Sequence, residues 1–348
     1  MTLLATQLSD LVATTQRDLG KPNFVEIATD IQEHTAMSEL LRMNSIEYQS
    51  GYGVQWDVMV QHSNSAENVG LGAEDNVDIV DTMVQAQADW RNTTANYAFI
   101  GQEIDMNRNP ARIVDLLRSR RIATMIAVVE LMETNFWGPP VASTDNVTPW
   151  GVKTWIVKNA TEGFNGGAPS GYTTIGLNPT TYSRWKNYTA QYTSLTKEDA
   201  VRKWRRASRF TNFKPPVANI PTGKFQGSNK YGYYTNYTVL SALEEMLEAQ
   251  NDNLGNDVAS KDGEVTFRKT PVKWVPKLEA DTTNPIYGIN WGAFRTIILS
   301  GWWGKEFNVP IYPGQHTINA TFMDYTYQMV TTNRRVHFVL ATGTSEPS

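Results

Sequence analysis

Two runs of strict alternation, separated by a polar gap, constrain this chain more than any other feature. Val54, Trp56, Val58 and Val60 alternate with Gln55, Asp57, Met59 and Gln61. After a gap rich in Gly, Asn and Glu, Val80, Val84, Ala86, Ala88 and Trp90 alternate with Asp81, Met83, Gln85, Gln87 and Asp89. A period of two puts each set on one face of a strand, so the segment predicts an extended ribbon of two strands with a polar tip. Such a ribbon is only marginally stable by itself in water. Its apolar face needs a surface, on its own domain or on a neighbouring subunit.

The same segment is strongly acidic. Between Ile46 and Met106 the acids are Glu47, Asp57, Glu67, Glu74, Asp75, Asp78, Asp81, Asp89, Glu103 and Asp105, and Arg91 is the only base. That is a net charge of −9, against −4 for the whole chain. Charge on a strand edge guards against aggregation, which is the plainer reading. An apolar face on an acidic arm also suits docking onto a basic patch of another subunit.

A change of period follows. Asn109-Pro110 places an N-cap residue before a proline at the first helical position, and Gly138-Pro139-Pro140 is a stop signal. The helix between them, ending near Trp137, is the longest expected, at roughly 40 Å. Ile113, Leu116, Leu117, Ile122, Ile126, Val129 and Met132 form its apolar face, and Arg112, Arg118, Arg120 and Arg121 crowd its first half. Upstream, Leu4, Leu8, Leu11 and Val12 predict a short amphipathic arm over 1–19, stopped by Gly20 and Pro22. A second helical stretch carries Phe24, Ile27, Ile31, Met37, Leu40 and Leu41.

Residues 141–286 read as mixed and loop-rich. Trp150–Val157 and Glu264–Val275 read as strands, Gly163–Gly176 as a glycine-rich loop, and Lys197–Arg209 and Val239–Gln250 as helices. The end of the chain returns to strands, at Ala293–Leu299, Ile318–Val330 and Val336–Ala341, with turns at Pro313-Gly314 and Thr332-Asn333. The fold class is α+β.

Composition removes several kinds of chemistry. At 41% hydrophobic and 19% charged residues the chain is globular. No cysteine is present, so disulfides, thiolate metal sites and cysteine nucleophiles are excluded. His34, His62, His316 and His337 are the only histidines and have no metal-ligand spacing. No cofactor or metal is expected. The longest clean apolar run, Ile122–Val129, is too short to span a bilayer, and the first residues lack a signal peptide's features, so the expectation is a soluble protein made in the cytoplasm. The net charge of −4 argues against a dedicated nucleic-acid binder but not against a protein that encloses DNA. Six Asn-x-Thr sequons, such as Asn187, read as a by-product of Asn and Thr abundance.

Nucleophile-elbow, phosphate-loop and zinc-protease patterns are absent. Arg202, Lys203, Arg205, Arg206 and Arg209 surround Trp204 and Phe210; this is a solvated helix face or a patch for a phosphate or an acidic partner. Eleven tryptophans, including Trp302-Trp303, raise the alternative of a glycan-active enzyme.

The order of parts resembles one family: an arm, a ribbon, a long helix, a mixed domain and returning strands. Three passages add to it: TPVKWVPKLEADTTNPIYGINW from Thr270, TTNRRVHFVL at Thr331–Leu340, and NPTTYSRWKNYTAQY. Together they resemble tailed-bacteriophage major capsid proteins of the Hong Kong 97-type fold. The resemblance implies an N-arm at 1–22, a first part of the P-domain at 23–45, and an E-loop ribbon at 46–106. It further implies a spine helix at 107–140, an A-domain at 141–286 and P-domain C-terminal strands at 287–348. The implied function is non-enzymatic: self-assembly into hexamers and pentamers of an icosahedral shell enclosing double-stranded DNA, in a virion. An encapsulin-like compartment shell is the alternative on the same fold.

Departures from the family's namesake carry their own expectations. That shell is cross-linked through an E-loop lysine, and here no lysine lies between Lys21 and Lys153, so no such isopeptide link is expected. The short arm implies a separate scaffolding protein and no N-terminal processing. A portal and a decoration protein are further partners that the resemblance implies. Within a shell, the candidate contacts on the ribbon are Trp56, Glu74, Asp75, Asp78, Asp81 and Trp90. The arginines they are expected to meet on an adjacent subunit are Arg112, Arg118, Arg120 and Arg121, or Arg334 and Arg335.

Overall fold

The computed structural model describes residues 34–41, 45–62, 68, 70, 81–102, 110–212, 231–248, 265–309, 314 and 317–345. For 110–117, 247, 248 and 309 the description covers the backbone only. The expected arm over 1–19, most of the second helical stretch and the ribbon tip lie outside these residues. The chain forms two compact units, one from 92–133 and 300–326, the other from 35–91, 134–299 and 327–348.

The first unit holds most of strand β4 (Arg91–Ile100) and helix α2 (Pro110–Trp137) as far as residue 133. It also holds the later part of β11 (Phe294–Val309) and the earlier part of β12 (Ile318–Thr331). In the sheet, β12 lies between β11 and β4. The Thr326 hydroxyl donates to Asn92 Oδ1 at 2.8 Å, and the Gly101 amide donates to the Thr317 carbonyl at 2.8 Å. Helix α2 begins and ends where the Pro and Gly-Pro-Pro signals place it. Strand β11 outlasts its expected end at Leu299, continuing through Gly301 and Gly304 at φ +79° and +64°. Positive φ at these two positions is a bulge geometry that glycine adopts without strain.

The second unit is built on a seven-stranded sheet of order β5-β6-β13-β10-β7-β9-β8. Its strands are β5 (Gly163–Gly166), β6 (Asn187–Gln191), β7 (Tyr231–Thr235), β8 (Thr266–Phe267), β9 (Thr270–Trp274), β10 (Ile286–Asn290) and β13 (Phe338–Ala341). Central β10 runs antiparallel to both neighbours, with Ile286 opposite Leu340 and Thr235. All of β10 and β13 is buried, so neither shows the alternation that marks a half-exposed strand. Gly288 is opposite Phe338, and a Cβ at 288 would collide with that ring. β10 and β13 share their sheet with strands from 163–274, so the expected boundary at 286/287 does not separate two sheets.

Helices α4 (Ala200–Phe210) and α5 (Tyr237–Glu248) cover this sheet. Ala200, Trp204 and Ala207 of α4 and Val239 and Leu243 of α5 join Tyr188, Tyr233, Val272, Ile286, Phe338 and Leu340 in one core. A second aromatic core packs Phe136 and Trp137 of α2 against Tyr234, Tyr287, Trp291 and Phe294, with ring centroids 5.0–6.3 Å apart. Two further elements are α1 (Thr35–Leu40) and β1 (Ile46–Gln49), the latter parallel to residues 296–299 of β11.

Two expected strands differ. The stretch 150–157 contains a helical turn, α3 (Val152–Trp155), although its β-branched residues read as a strand. Every residue from Gly151 to Ile156 is buried, and a Cβ on Gly151 would collide with the carbonyl oxygens of Asn135 and Phe136. The turn directs Lys153 toward Asp281 and the Trp155 indole to the Met329 carbonyl at 3.0 Å. Within the second stretch, residues 266–274 form a hairpin, folding at Arg268 and Lys269 with φ of 51° and 66°. Tight hairpin turns favour Asn or Gly at those positions, so the turn left no signal in the sequence.

Candidate functional site

The ribbon forms as its alternation predicts. β2 (Gly53–Met59) pairs antiparallel with β3 (Met83–Asp89), with Val54 opposite Ala88, Trp56 opposite Ala86 and Val58 opposite Val84. Its apolar face is covered by its own chain. Trp56 is 6% exposed, edge-on to Trp155 at 6.1 Å, and the Gln87 amide donates to the Gly176 carbonyl at 3.3 Å. Trp56 is therefore a residue of the subunit's own core and is removed from the contact candidates. The Trp90 indole, half-buried, donates to the Gly51 carbonyl at 3.0 Å.

The opposite face of the ribbon is open. Gln55, Asp57, Met59, Met83, Gln85, Gln87 and Asp89 are exposed, and Met59 sits directly across from Met83. Asp81 is exposed and accepts from the Met83 amide at 3.3 Å. Glu74, Asp75 and Asp78 lie outside the described residues, as does the Arg112 side chain. Arg118 is exposed. Arg120 donates to the Ala98 carbonyl at 2.8 Å, and Arg121 pairs with Glu306 at 2.7 Å.

Arg334 corrects another expectation. Its guanidinium is fully buried and donates to the carbonyls of Trp155, Trp185, Gly166 and Gly167 at 2.6–3.3 Å and to Asn187 Oδ1 at 3.3 Å. Burial lowers its pKa to about 9. Its donors hold α3, the end of β5 and the segment leading into β6 together inside the subunit. Arg335 is half-buried over the Phe164 ring at 4.0 Å. Burial, and then the charge of Arg184, lowers its pKa.

Sequence reasoning missed a buried charge cluster. Lys153 and Lys158 place Nζ at 3.1 and 2.7 Å from the same oxygen, Asp281 Oδ2, while the Thr283 hydroxyl donates to Oδ1 at 2.6 Å. All three charged side chains are 1–2% exposed. Burial pushes the Asp281 carboxyl up, but the hydrogen bonds from Lys158 and Thr283 and the charges of both lysines outweigh it, so its pKa falls. The partners lie more than 120 residues apart in sequence, which no local pattern reveals.

His337 is also fully buried. Its Nδ1 accepts from the Asn290 amide at 3.1 Å, and Nε2 lies 2.9 Å from the Thr331 hydroxyl. Burial, and then the charge of Arg334, pushes its pKa down to about 3. Between an unfolded value of about 6.5 and that folded value, only the unfolded chain takes up this proton. Stability is therefore expected to fall as pH drops from about 6.5 toward 3, by up to about 1.4 kcal/mol per pH unit from this group. Urea midpoints of the unassembled subunit at pH 7, 5.5 and 4 measure the slope. His337→Gln is expected to flatten it, and an unchanged slope would sink the assignment.

Six of the eleven tryptophans, Trp56, Trp137, Trp155, Trp185, Trp204 and Trp291, are buried. These six fill cores, whereas Trp90, Trp150, Trp302 and Trp303 are half-buried and Trp274 is exposed. Among the described residues, no helix is long and apolar enough to cross a membrane.

No family model and no curated protein matches the sequence. Solved structures do match it. The cyanophage A-1(L) capsid asymmetric unit aligns over 94% of this chain and 98% of that chain, at 14% identity and TM-score 0.61. The chain has the fold of phage capsid proteins. The capsid of the native GTA particle aligns over 93% and 95%, at 12% identity and TM-score 0.55. A Gordonia phage Cozz structure aligns over 93% and 90%, at 12% identity and TM-score 0.52. The capsid fold is thus shared over nearly the whole chain.

Proposed function

We propose that this protein is the major capsid protein of a tailed bacteriophage, whose copies form the hexamers and pentamers of an icosahedral shell around double-stranded DNA. One observation carries the reading: the alignment leaves almost nothing over in this chain or in the cyanophage capsid chain. In this reading the N-arm is 1–22, the E-loop ribbon 46–106, the spine helix 107–140 and the A-domain 141–286. Residues 23–45 and the returning strands of 287–348 form the P-domain, except that β10 and β13 belong to the seven-stranded sheet.

Two features support a shell held by non-covalent contacts. The ribbon and spine contain no lysine, and the chain has no cysteine. The ribbon presents an open face bearing Asp57, Asp81 and Asp89, suited to Arg118, Arg121 or Arg335 of an adjacent subunit. A separate scaffolding protein and a portal complete the assembly, with a decoration protein as a further support. The DNA is enclosed without sequence-specific binding, consistent with a net charge of −4. The protein acts in the virion and catalyses no reaction.

The test is co-expression with the scaffold from the same genome, followed by electron microscopy and a denaturing gel of the particles. Closed shells that run as one band near 39.1 kDa are expected. A ladder of covalent multimers would overturn the non-covalent shell, and small oligomers alone would overturn the capsid reading. Shells loaded with a cargo enzyme in place of DNA would move the protein to the encapsulin-like class.

A further inference from the structure

Charge is segregated between the two helices that cover the seven-stranded sheet. From Ala200 to Lys230 the chain carries Arg202, Lys203, Arg205, Arg206, Arg209, Lys214, Lys224 and Lys230 and no acid. From Tyr237 to Glu264 it carries Glu244, Glu245, Glu248, Asp252, Asp257, Asp262 and Glu264 against Lys261 alone. The first stretch begins with α4 and the second with α5. Packing does not require this division, because both helices meet the sheet through apolar residues.

On α4, Lys203 pairs with Asp199 at 2.6 Å and Arg206 with Glu162 at 3.1 Å. Arg202, Arg205 and Arg209 are exposed, and none makes an ion pair among the described residues. Their spacing of i, i+3 and i+7 sets them in one stripe, opposite buried Ala200, Trp204 and Ala207. Like charges at such spacing repel by a few tenths of a kcal/mol per pair, about what an attractive pair would gain. On α5, Glu244 and Glu245 stand in the C-terminal half of the helix, where the helix dipole disfavours acids. They too make no ion pair among the described residues. Both helices thus carry an arrangement that is locally unfavourable in the isolated subunit, and each carries what the other lacks.

The pairing is not made within one copy. α4 packs over β6 and β13, α5 over β9, and β10 and β7 lie between. At about 4.8 Å per strand, the helices are on the order of 15 Å apart across the sheet.

We infer that the arginine stripe of α4 docks onto the glutamates of α5 in a second copy of this chain. The contact is heterologous, since each copy offers a different surface at each end. Repetition of one such contact closes into a ring when the rotation permits, as the capsomers of a shell require. The inference rests on the capsid reading and assigns it one subunit–subunit contact.

Two variants test it: the basic-helix variant R202E/R205E/R209E and the acidic-helix variant E244K/E245K/E248K, each co-expressed with the scaffold. Each alone sets like charges against each other at every contact and is expected to lose about tenfold or more of the shell yield. Mixed in equal amounts, the two are complementary in strict alternation, so six-membered rings are expected to return, while five-membered rings cannot alternate. Circular dichroism and melting of each purified variant establish that it is folded. Wild-type shells alongside undiminished yield from either folded variant, or no recovery of six-membered rings in the mixture, would overturn the contact. Failure of the wild type to form shells would instead count against the capsid reading, so the two failures are distinguishable.

Discussion

Asp281→Ala is expected to lower the stability of the subunit by about 3–5 kcal/mol, because it leaves two lysines buried without their carboxylate. Lys153 and Lys158 are 1–2% exposed and share one oxygen of Asp281, so water does not replace the lost partner. The attraction itself is not the main quantity at stake. Removing two charges from water already costs much of what the pairing returns, so replacing all three by apolar residues of similar volume is expected to be far milder than Asp281→Ala. Urea unfolding of unassembled Asp281→Ala, Lys158→Met and the triple K153M/K158M/D281L separates the cases. A single variant within about 1 kcal/mol of wild type would show that the cluster is solvated and the account wrong. Because these residues join α3 to the chain between β9 and β10, shell yield is expected to fall with subunit stability.

Arg334→Met is expected to cost at least about 4 kcal/mol, for a different reason. Four largely buried backbone carbonyls lose the guanidinium donor, while Asn187 Oδ1 keeps its hydrogen bond from the Val157 amide. Each orphaned buried acceptor costs about 1–3 kcal/mol, offset in part by relief from burying a charge. Arg334→Lys is expected to recover little, since an ammonium on one stem cannot span acceptors that a planar fork holds apart. Denaturant midpoints of the three proteins measure the order, wild type above Lys above or equal to Met. Equal stability of wild type and the lysine variant would show that the positive charge, and not the fork, holds these loops.

Those two residues also show what the chain disclosed in one dimension. Arg334 and Arg335 were equivalent as a sequence, two adjacent bases before a strand. In the fold they diverge completely, one buried on carbonyls and the other lying over Phe164. A 3-10 turn at Arg334–Val336 points consecutive side chains in different directions, and which one faces the interior depends on where 155, 166, 167 and 185 arrive. Trp56 teaches the same lesson. Its alternation with polar neighbours correctly placed it on the ribbon's apolar face, but periodicity does not name the surface that covers the face. Trp155 and Gly176 do, from more than 90 residues away.

The long helix was legible to the residue because its ends are written locally, by a proline at the first turn and by Gly-Pro-Pro after the last. Which ribbon residues face the core was equally legible, since alternation sets the face, but the register that puts Trp56 opposite Ala86 was not. Strands β6, β7 and β10 were not, because burial on both faces or a core of tyrosine and glycine erases the period. Local residue order is enough for the order of the parts, the absence of cysteine chemistry, the lysine-free ribbon and spine, and the acidic charge of the arm. Folding adds which strands share a sheet, that Lys153, Lys158 and Asp281 meet, and that α4 and α5 stand apart with opposite charge. The division has one cause: helix caps and strand periods are set by neighbours a few residues away. A buried charge or an assembly surface is instead set by segments the fold brings together from distant parts of the chain.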